Sequence, residues 1–549
     1  MKQPRPKISS IAEARPVAQS SSGTLVISIK HNKLQISDLV NHPPKGDRIV
    51  ATAIDLKDLN SAGFSHDEAH IVLQSRDVVE VINREKRTQR LRINNGTGAL
   101  GGYYSADFLG DEHVLTVWEF GRARVWSIAT GRFLDLGDFK TGCDGASWAL
   151  RPTANNTLVA MFIHLAKDGA DDVICIRTEN GTLLTSIRLR TVDAQDVSFS
   201  HDGRWFAVRD TPGSIERESV RFYSPEGLSY LTYPHGSHDR MQHLGVKTVT
   251  WSPAGDLVAL SDFSGYVVLL DTRVFQPRTT ISHTSALAYS TGEEAVWREG
   301  ACVSNEREYS LVKMCQPVST RSKPSTDPQE LGIAQARFNS TGRYIATRDE
   351  RYQSTIWIWT FPTAESHVLH AVLIQYHHVR TMQWHPTIPH SLMFDCGEDI
   401  VYHYDVSKPE KPPRIINVAP ALRGTATYGW VTSTNSELVI RAATKRRYCL
   451  VYPDREWGSD EADAEMSQTR PVQMGMPAER RDDESDDSLQ ELLTGRKALS
   501  ARDREDSHAN LADANGDSTA GMEDTFREKK QKMAIEEVEA DPLDDSDIF

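Results

Sequence analysis

Residues 246–271 carry the clearest pattern in the chain. Val246-Lys247-Thr248-Val249-Thr250-Trp251 alternates and ends on an aromatic, and the turn Ser252-Pro253-Ala254-Gly255-Asp256 follows. Next come the apolar run Leu257-Val258-Ala259-Leu260-Ser261, a second turn Asp262-Phe263-Ser264-Gly265, and the run Tyr266-Val267-Val268-Leu269-Leu270-Asp271. A period of two marks half-buried strands, and Pro, Asp and Gly supply the fixed or positive φ that the turns between them need. The same order recurs from Gln195 to Val208, with Phe199 as its aromatic, and from Ala336 to Thr347, with Phe338, before Ile356-Trp357-Ile358-Trp359.

The landmark aromatics of successive units are Phe64, Phe108, Trp148, Phe199, Trp251, Phe338, Trp384 and Trp430. Their separations are 44, 40, 51, 52, 87, 46 and 46 residues, against roughly 40–45 for a four-stranded propeller blade. The 87-residue interval predicts either a degenerate blade or a long loop between Gln276 and Leu331. It holds the strand-like pieces Leu287-Ala288-Tyr289, Ala295-Val296-Trp297 and Tyr309-Ser310-Leu311-Val312-Lys313. With a further unit before Phe64, nine units are clear and one is doubtful. The expectation is an all-β fold: one propeller ring of seven to nine degenerate blades over residues 17–452. Radial repetition also leaves only short strand edges to protect.

Composition divides the chain. From Pro453 to Phe549 there are 28 acidic and 12 basic residues, a net −16, which leaves 48 acids and 50 bases, a net +2, over residues 1–452. Ten of the eleven tryptophans lie in the near-neutral body. Low hydrophobicity with dense charge predicts a disordered acidic tail over 453–549, and a disordered N-terminus is expected over 1–16. No concentrated basic footprint is present, so no nucleic-acid partner is expected. No apolar run approaches the roughly 20 residues that span a bilayer, so no membrane partner is expected either. The polar, proline-broken start does not read as a secretory signal. Six scattered cysteines without a Cys-x-x-Cys pair read as reduced thiols.

The units resemble WD repeats in degenerate form. None shows the full Gly-His and Trp-Asp pair, so the side-chain network that usually links the strands is expected to be absent. Gly245–Pro253, Gly332–Phe338 with Ala346-Thr347-Arg348-Asp349 after it, Val379–Trp384, and the interruption from Tyr309 to Thr326 are similar to the WD repeat protein eight (WRAP seventy-three) family. The likeness is best over residues 190–410. It implies a scaffold at the centrosome or spindle pole body, in the cytoplasm and cytoskeleton. It also implies an SSX-interacting, Msd-type coiled-coil partner and a minus-end-directed kinesin, with microtubule minus-end anchoring and mitotic spindle organisation as the outcome. The family brings no catalytic residue and no cofactor. Two other readings remain: a propeller-type initiation factor similar to eukaryotic initiation factor two A, and a ubiquitin-ligase substrate receptor. The first would need a basic extension and the second a Trp-Asp-x-Arg docking feature, and the chain offers neither.

Candidate chemistry is sparse. His66-Asp67-Glu68-Ala69-His70 departs from the His-Glu-x-x-His of a zinc helix, because Glu stands one place late in a turn. His377-His378 reads as a blade-edge loop, Asp262 and Asp349 as hairpin-ordering residues, and Lys445-Arg446-Arg447 as a solvated hairpin. No phosphate-cradling loop or nucleophile elbow appears, and no enzyme is expected. In the tail, Ser485 and Ser488 are candidate sites for an acid-directed kinase. Leu489-Gln490-Glu491-Leu492-Leu493 has the form of a short docking helix.

Overall fold

The computed structural model describes residues 6–456, apart from residue 10, residues 313, 316 and 423, and the segments 41–47, 87–88, 97–99, 153–157, 166–169, 178–182, 212–218, 234–244, 284–286, 289–294, 302–306, 318–331, 364–365 and 433–436. The chain divides into two compact units, Met1–Thr469 and Arg470–Phe549. Everything below concerns the first.

The described residues form nine sheets that serve as blades, eight of them wholly antiparallel, plus a two-stranded pair, Leu287–Ala288 with Met314–Cys315. Blade 1 runs from Arg15–Gln19 to Arg48–Val50, blade 2 from Ser61–Phe64 to Arg90–Asn94, and blade 3 from Tyr103–Leu109 to Phe133–Asp138. Blade 4 runs from Trp148–Leu150 to Leu183–Arg188, blade 5 from Ala194–Phe199 to Ser229–Tyr233, and blade 6 from Val246–Trp251 to Pro277–Ser282. Blade 7 holds Ile333–Phe338 to Ser366–Ile374, blade 8 Thr381–Trp384 to Arg414–Asn417, and blade 9 begins at Thr427–Thr432.

The core is distributed. Nine apolar clusters of buried residues each join two neighbouring blades, and the series closes on itself. Ile27, Leu34, Ile71 and Leu73 join blades 1 and 2, while Val431, Val439 and Leu450 of blade 9 pack on Val26 of blade 1. Each strand set presents one face backward and one forward, which is why the middle strands are apolar on both faces, as in Leu257–Asp262 with every residue buried.

Closure uses both ends of the described chain. Pro6–Ile8 pairs antiparallel with Tyr448–Glu456 and is the fourth strand of blade 9. Ser9 N–H donates to Leu450 O at 2.8 Å, and Leu450 N–H donates to Ser9 Oγ at 2.9 Å. The expectation of a disordered N-terminus over 1–16 and a ring starting at 17 is therefore corrected, since residues 6–8 and 15–16 belong to strands. At the other end the last strand runs to Glu456, four residues past the expected boundary. Proline is tolerated in Pro6–Ile8 because it sits on a sheet edge.

The 87-residue interval contains no tenth blade among the described residues. Pro277–Ser282 completes blade 6. The hairpin Ala295–Ala301 and Arg307–Leu311 then joins blade 7, where Ala295–Arg298 pairs parallel with Ala371–Ile374 and makes that blade six-stranded. The loop-or-blade alternative thus resolves into neither: the insertion widens the blade that follows it.

Candidate protein-interaction surface

The landmark aromatics occupy a repeated place. Phe64, Phe199, Trp251, Phe338 and Trp384 are the last residues of their first strands, and Phe108 and Trp430 lie one and two residues before the end. Trp148 opens its strand instead, so the turn there follows Leu150. The indole N–H of Trp251 donates to Ser198 Oγ at 3.1 Å, that of Trp384 to Arg337 O at 2.8 Å, and that of Trp430 to Gln383 O at 3.1 Å. Ser198, Arg337 and Gln383 directly precede the landmarks of the preceding blades. These three tryptophans therefore staple blades 6, 8 and 9 to their predecessors at one fixed register.

The residue after the landmark carries a second signature, which the periodicity reading missed. Ser65, Ser200 and Ser252 accept the N–H of the residue five positions on through Oγ, at 2.9, 3.0 and 3.0 Å, and Asn339 does so through Oδ1 at 3.0 Å. Three residues past this cap the backbone turns to positive φ, at Gly203, Gly255 and Gly342, and at Glu68 with φ 58°. A Ser or Asn directly after the aromatic, with Gly three further on, was the available signal.

Blade 7 holds the network expected to be missing. His283, just past blade 6, places Nε2 2.8 Å from Thr347 Oγ1, which also accepts the Trp359 indole N–H at 3.1 Å. Its ring stacks on Trp357 with centroids 4.0 Å apart. Its Nδ1 lies 3.6 Å from Asp349 Oδ2, just beyond hydrogen-bond distance. Asp349 also accepts Arg351 Nε at 3.0 Å on each oxygen and Arg351 N–H at 2.8 Å. Burial works against the Asp349 charge, but the neighbouring His283 and Arg351 hold its carboxyl at about 2. Burial holds His283 below the ordinary histidine range. The network escaped the sequence reading because Ser282 replaces the usual glycine. The insertion also places His283 64 residues before Thr347.

The inserted hairpin is tied to blade 8 by polar groups. Glu299, 4% exposed, accepts the Tyr402 hydroxyl at 2.8 Å and the Tyr376 N–H at 2.8 Å. Arg307 donates to Tyr402 Oη at 2.9 Å and pairs with Glu398, whose other oxygen is 3.0 Å from His377 Nε2. Trp297 donates its indole N–H to Pro409 O at 3.1 Å. Burial, and then the Glu299 charge, drives the Tyr402 hydroxyl far above the usual tyrosine range. This cluster positions a hairpin and leaves Tyr376 and Leu311 largely exposed beside it. A rigid ring that displays such extra elements is suited to binding other proteins.

The remaining candidates are structural in their surroundings. Asp67 accepts the Ser65 hydroxyl at 2.6 Å within its turn, Glu68 takes the Ser22 hydroxyl, and His70 Nε2 meets Asn83 Nδ2 at 3.1 Å. Asp262 accepts Tyr266 N–H at 2.6 Å, and its field reaches Arg351, so the two aspartates lie around one arginine. Lys445-Arg446-Arg447 forms a hairpin closed by Thr444 N–H to Arg447 O at 2.8 Å, with Arg447 3.1 Å from Glu13. No group of three or more metal-ligating side chains is gathered among the described residues. Ser485, Ser488 and the Leu489–Leu493 segment lie outside the described residues.

No protein-family model matches the chain. An uncharacterised WD repeat-containing protein of Schizosaccharomyces pombe is 26% identical over 325 residues, 58% of this chain and 60% of that protein, so the match spans under two thirds of the relative's length. The WD repeat-containing protein WRAP73 of Mus musculus is 24% identical over 355 residues, 59% of this chain and 71% of that protein. Minichromosome loss protein 1 of Schizosaccharomyces pombe is 23% identical over 42% of this chain and 27% of its own. Among solved structures, the Cps50 (Swd1) β-propeller domain of Myceliophteria thermophila aligns over 63% of this chain and 96% of its own, with a TM-score of 0.37 and 10% identity. The C-terminal WD40 domain of Sif2 aligns over 71% and 95%, with a TM-score of 0.38 and 12% identity. Neither reaches a TM-score of 0.5, and the fold rests on the strand pairing above.

Proposed function

We propose, from the similarity of this chain to WD repeat-containing proteins, WRAP73 among them, that it is a WRAP73-like, non-enzymatic scaffold of the centrosome or spindle pole body. In this reading it acts with an Msd-type coiled-coil partner and a minus-end-directed kinesin to anchor microtubule minus ends and support mitotic spindle organisation. The observation that carries the proposal is the 355-residue similarity to WRAP73. A rigid platform with an added outer element offers surfaces for more than one partner, while its buried polar groups are engaged in holding the hairpin.

The test is to tag the endogenous protein, image it through mitosis and identify co-purifying proteins by mass spectrometry. The expected result is a focus at each spindle pole, a co-purifying coiled-coil pole protein, and loosened minus ends after deletion. A uniform cytosolic signal, together with normal spindle anchoring in the deletion strain, would overturn the proposal.

A further inference from the structure

The hairpin that joins the second and third strands of blade 3 ends in Glu119-Phe120-Gly121, and Phe120 there is 73% exposed. The turn is built to hold it out. Gly121 sits at φ +82°, its N–H bonds Trp118 O at 2.9 Å, and its carbonyl accepts Phe139 N–H at 2.6 Å. A surface cavity of about 650 Å³ opens beside the ring, lined by the blade 3 hairpin, by Asp138 to Thr141 at and after the end of that blade's last strand, and by Asp193 just before blade 5. Val192, 63% exposed, precedes the lining residue Asp193.

The charge of this cavity is one-sided. Glu119, Asp138 and Asp193 line it, with Lys140 as the single cation. Lys140 is already held between two carboxylates, bonding Asp171 and, at 2.5 Å, Asp193 Oδ1. Glu119 accepts Gly102 N–H at 2.8 Å, and neither it nor Asp138 has an ion-pair partner among the described residues. The site therefore combines an aromatic face, an apolar wall and an excess of negative charge. A positively charged side chain with an apolar stem matches all three: the stem lies on the ring while the cation meets the carboxylates. A polyanion meets like charge here.

We propose that this cavity is a docking site for a lysine or arginine side chain presented by an extended segment of a partner protein. Phe120 is the platform, and Glu119 and Asp138 are the charge-reading residues.

The experiment uses the full chain and a fluorescein-labelled Gly/Ser peptide carrying one lysine and one arginine. Its neutral twin has acetyl-lysine and citrulline at those places. Fluorescence anisotropy should show binding of the cationic peptide that weakens with salt, and at least tenfold weaker binding of the neutral twin. Phe120→Ala should weaken the cationic peptide tenfold or more, and the Glu119→Gln, Asp138→Asn double variant at least fivefold with a flatter salt dependence. Because Phe120 is exposed, its alanine variant should melt with the parent protein, which separates lost docking from lost folding. Equal binding of both peptides, undiminished binding by Phe120→Ala, or no binding at millimolar peptide would each overturn the proposal.

Discussion

Trp430 illustrates what single residues contribute to this ring. Its indole N–H reaches Gln383 O, one blade back, while blades 2, 5 and 7 carry phenylalanine at the corresponding strand end. Trp430→Phe keeps the ring and removes the donor, so it should cost about 1 kcal/mol in urea unfolding. Trp430→Ala also opens a cavity and should cost about 3–5 kcal/mol. Asp349 is a second test. Its side chain is fully buried between His283 and Arg351. Asp349→Ala strips the partly exposed Arg351 of its acceptors and should destabilise by about 1–3 kcal/mol. Gly265 belongs to the same locus: it turns at φ +94°, and a Cβ there would run into the Arg351 guanidinium. Gly265→Ala should lower the melting temperature although no hydrogen bond is deleted.

The repeat unit was legible because an alternating strand ending on an aromatic, a turn and a short apolar run follow in fixed order. Val246–Trp251 stands as that order places it, and the run from Leu257 extends one residue further, to Asp262. The same reading missed features that depend on distant residues. Nothing near His283 announces Thr347, because the partners meet only once blade 7 lies against blade 6. The strand Ala295–Ala301 looked like a fragment of a blade, since its apolar residues are buried by a parallel neighbour some 75 residues later. Pro6–Ile8 is short and carries a proline, so local pattern could not mark it as a strand. The candidate surface was legible only as an irregular interval; its chemistry joins Glu299 and Arg307 of the hairpin to Tyr402, about 100 residues later. At this scale the prediction concerns the hairpin. Trp297 is 6% exposed, and Trp297→Ala should cost about 3–5 kcal/mol. In hydrogen exchange, the loss of protection should concentrate in residues 295–311 and 400–405 rather than spread to blade 1.

Across the whole molecule, proton linkage is unevenly placed. Burial lowers the pKa of His113 in blade 3 and of His283, His367, His370, His385 and His403, with His385 and His403 brought down to about 4. The last five gather in and beside blades 7 and 8. The unfolded chain takes up their protons near pH 6.5, whereas the folded ring resists. The stability they contribute is therefore complete above about pH 6.5 and lost as pH falls towards about 4. Asp349, held at about 2, surrenders its contribution only below about pH 4. The melting temperature should thus decline from pH 7 to pH 5. Exchange at pH 5 should show blades 7 and 8 opening before blade 1. A flat profile over that range would contradict the assignment of these imidazoles as neutral in the fold.

The closing strand also sets a timetable for synthesis. Pro6–Ile8 leaves the ribosome before any other strand described here, yet its mate, Tyr448–Glu456, is more than 400 residues downstream. At roughly 5–20 residues per second, that separation corresponds to a wait of roughly 20–90 s. Throughout that interval the nascent chain is an open arc with an unpaired edge at each end. Completion of the ring is a release event, and a chain stalled before residue 448 stays a client of the folding machinery however well its earlier blades have packed.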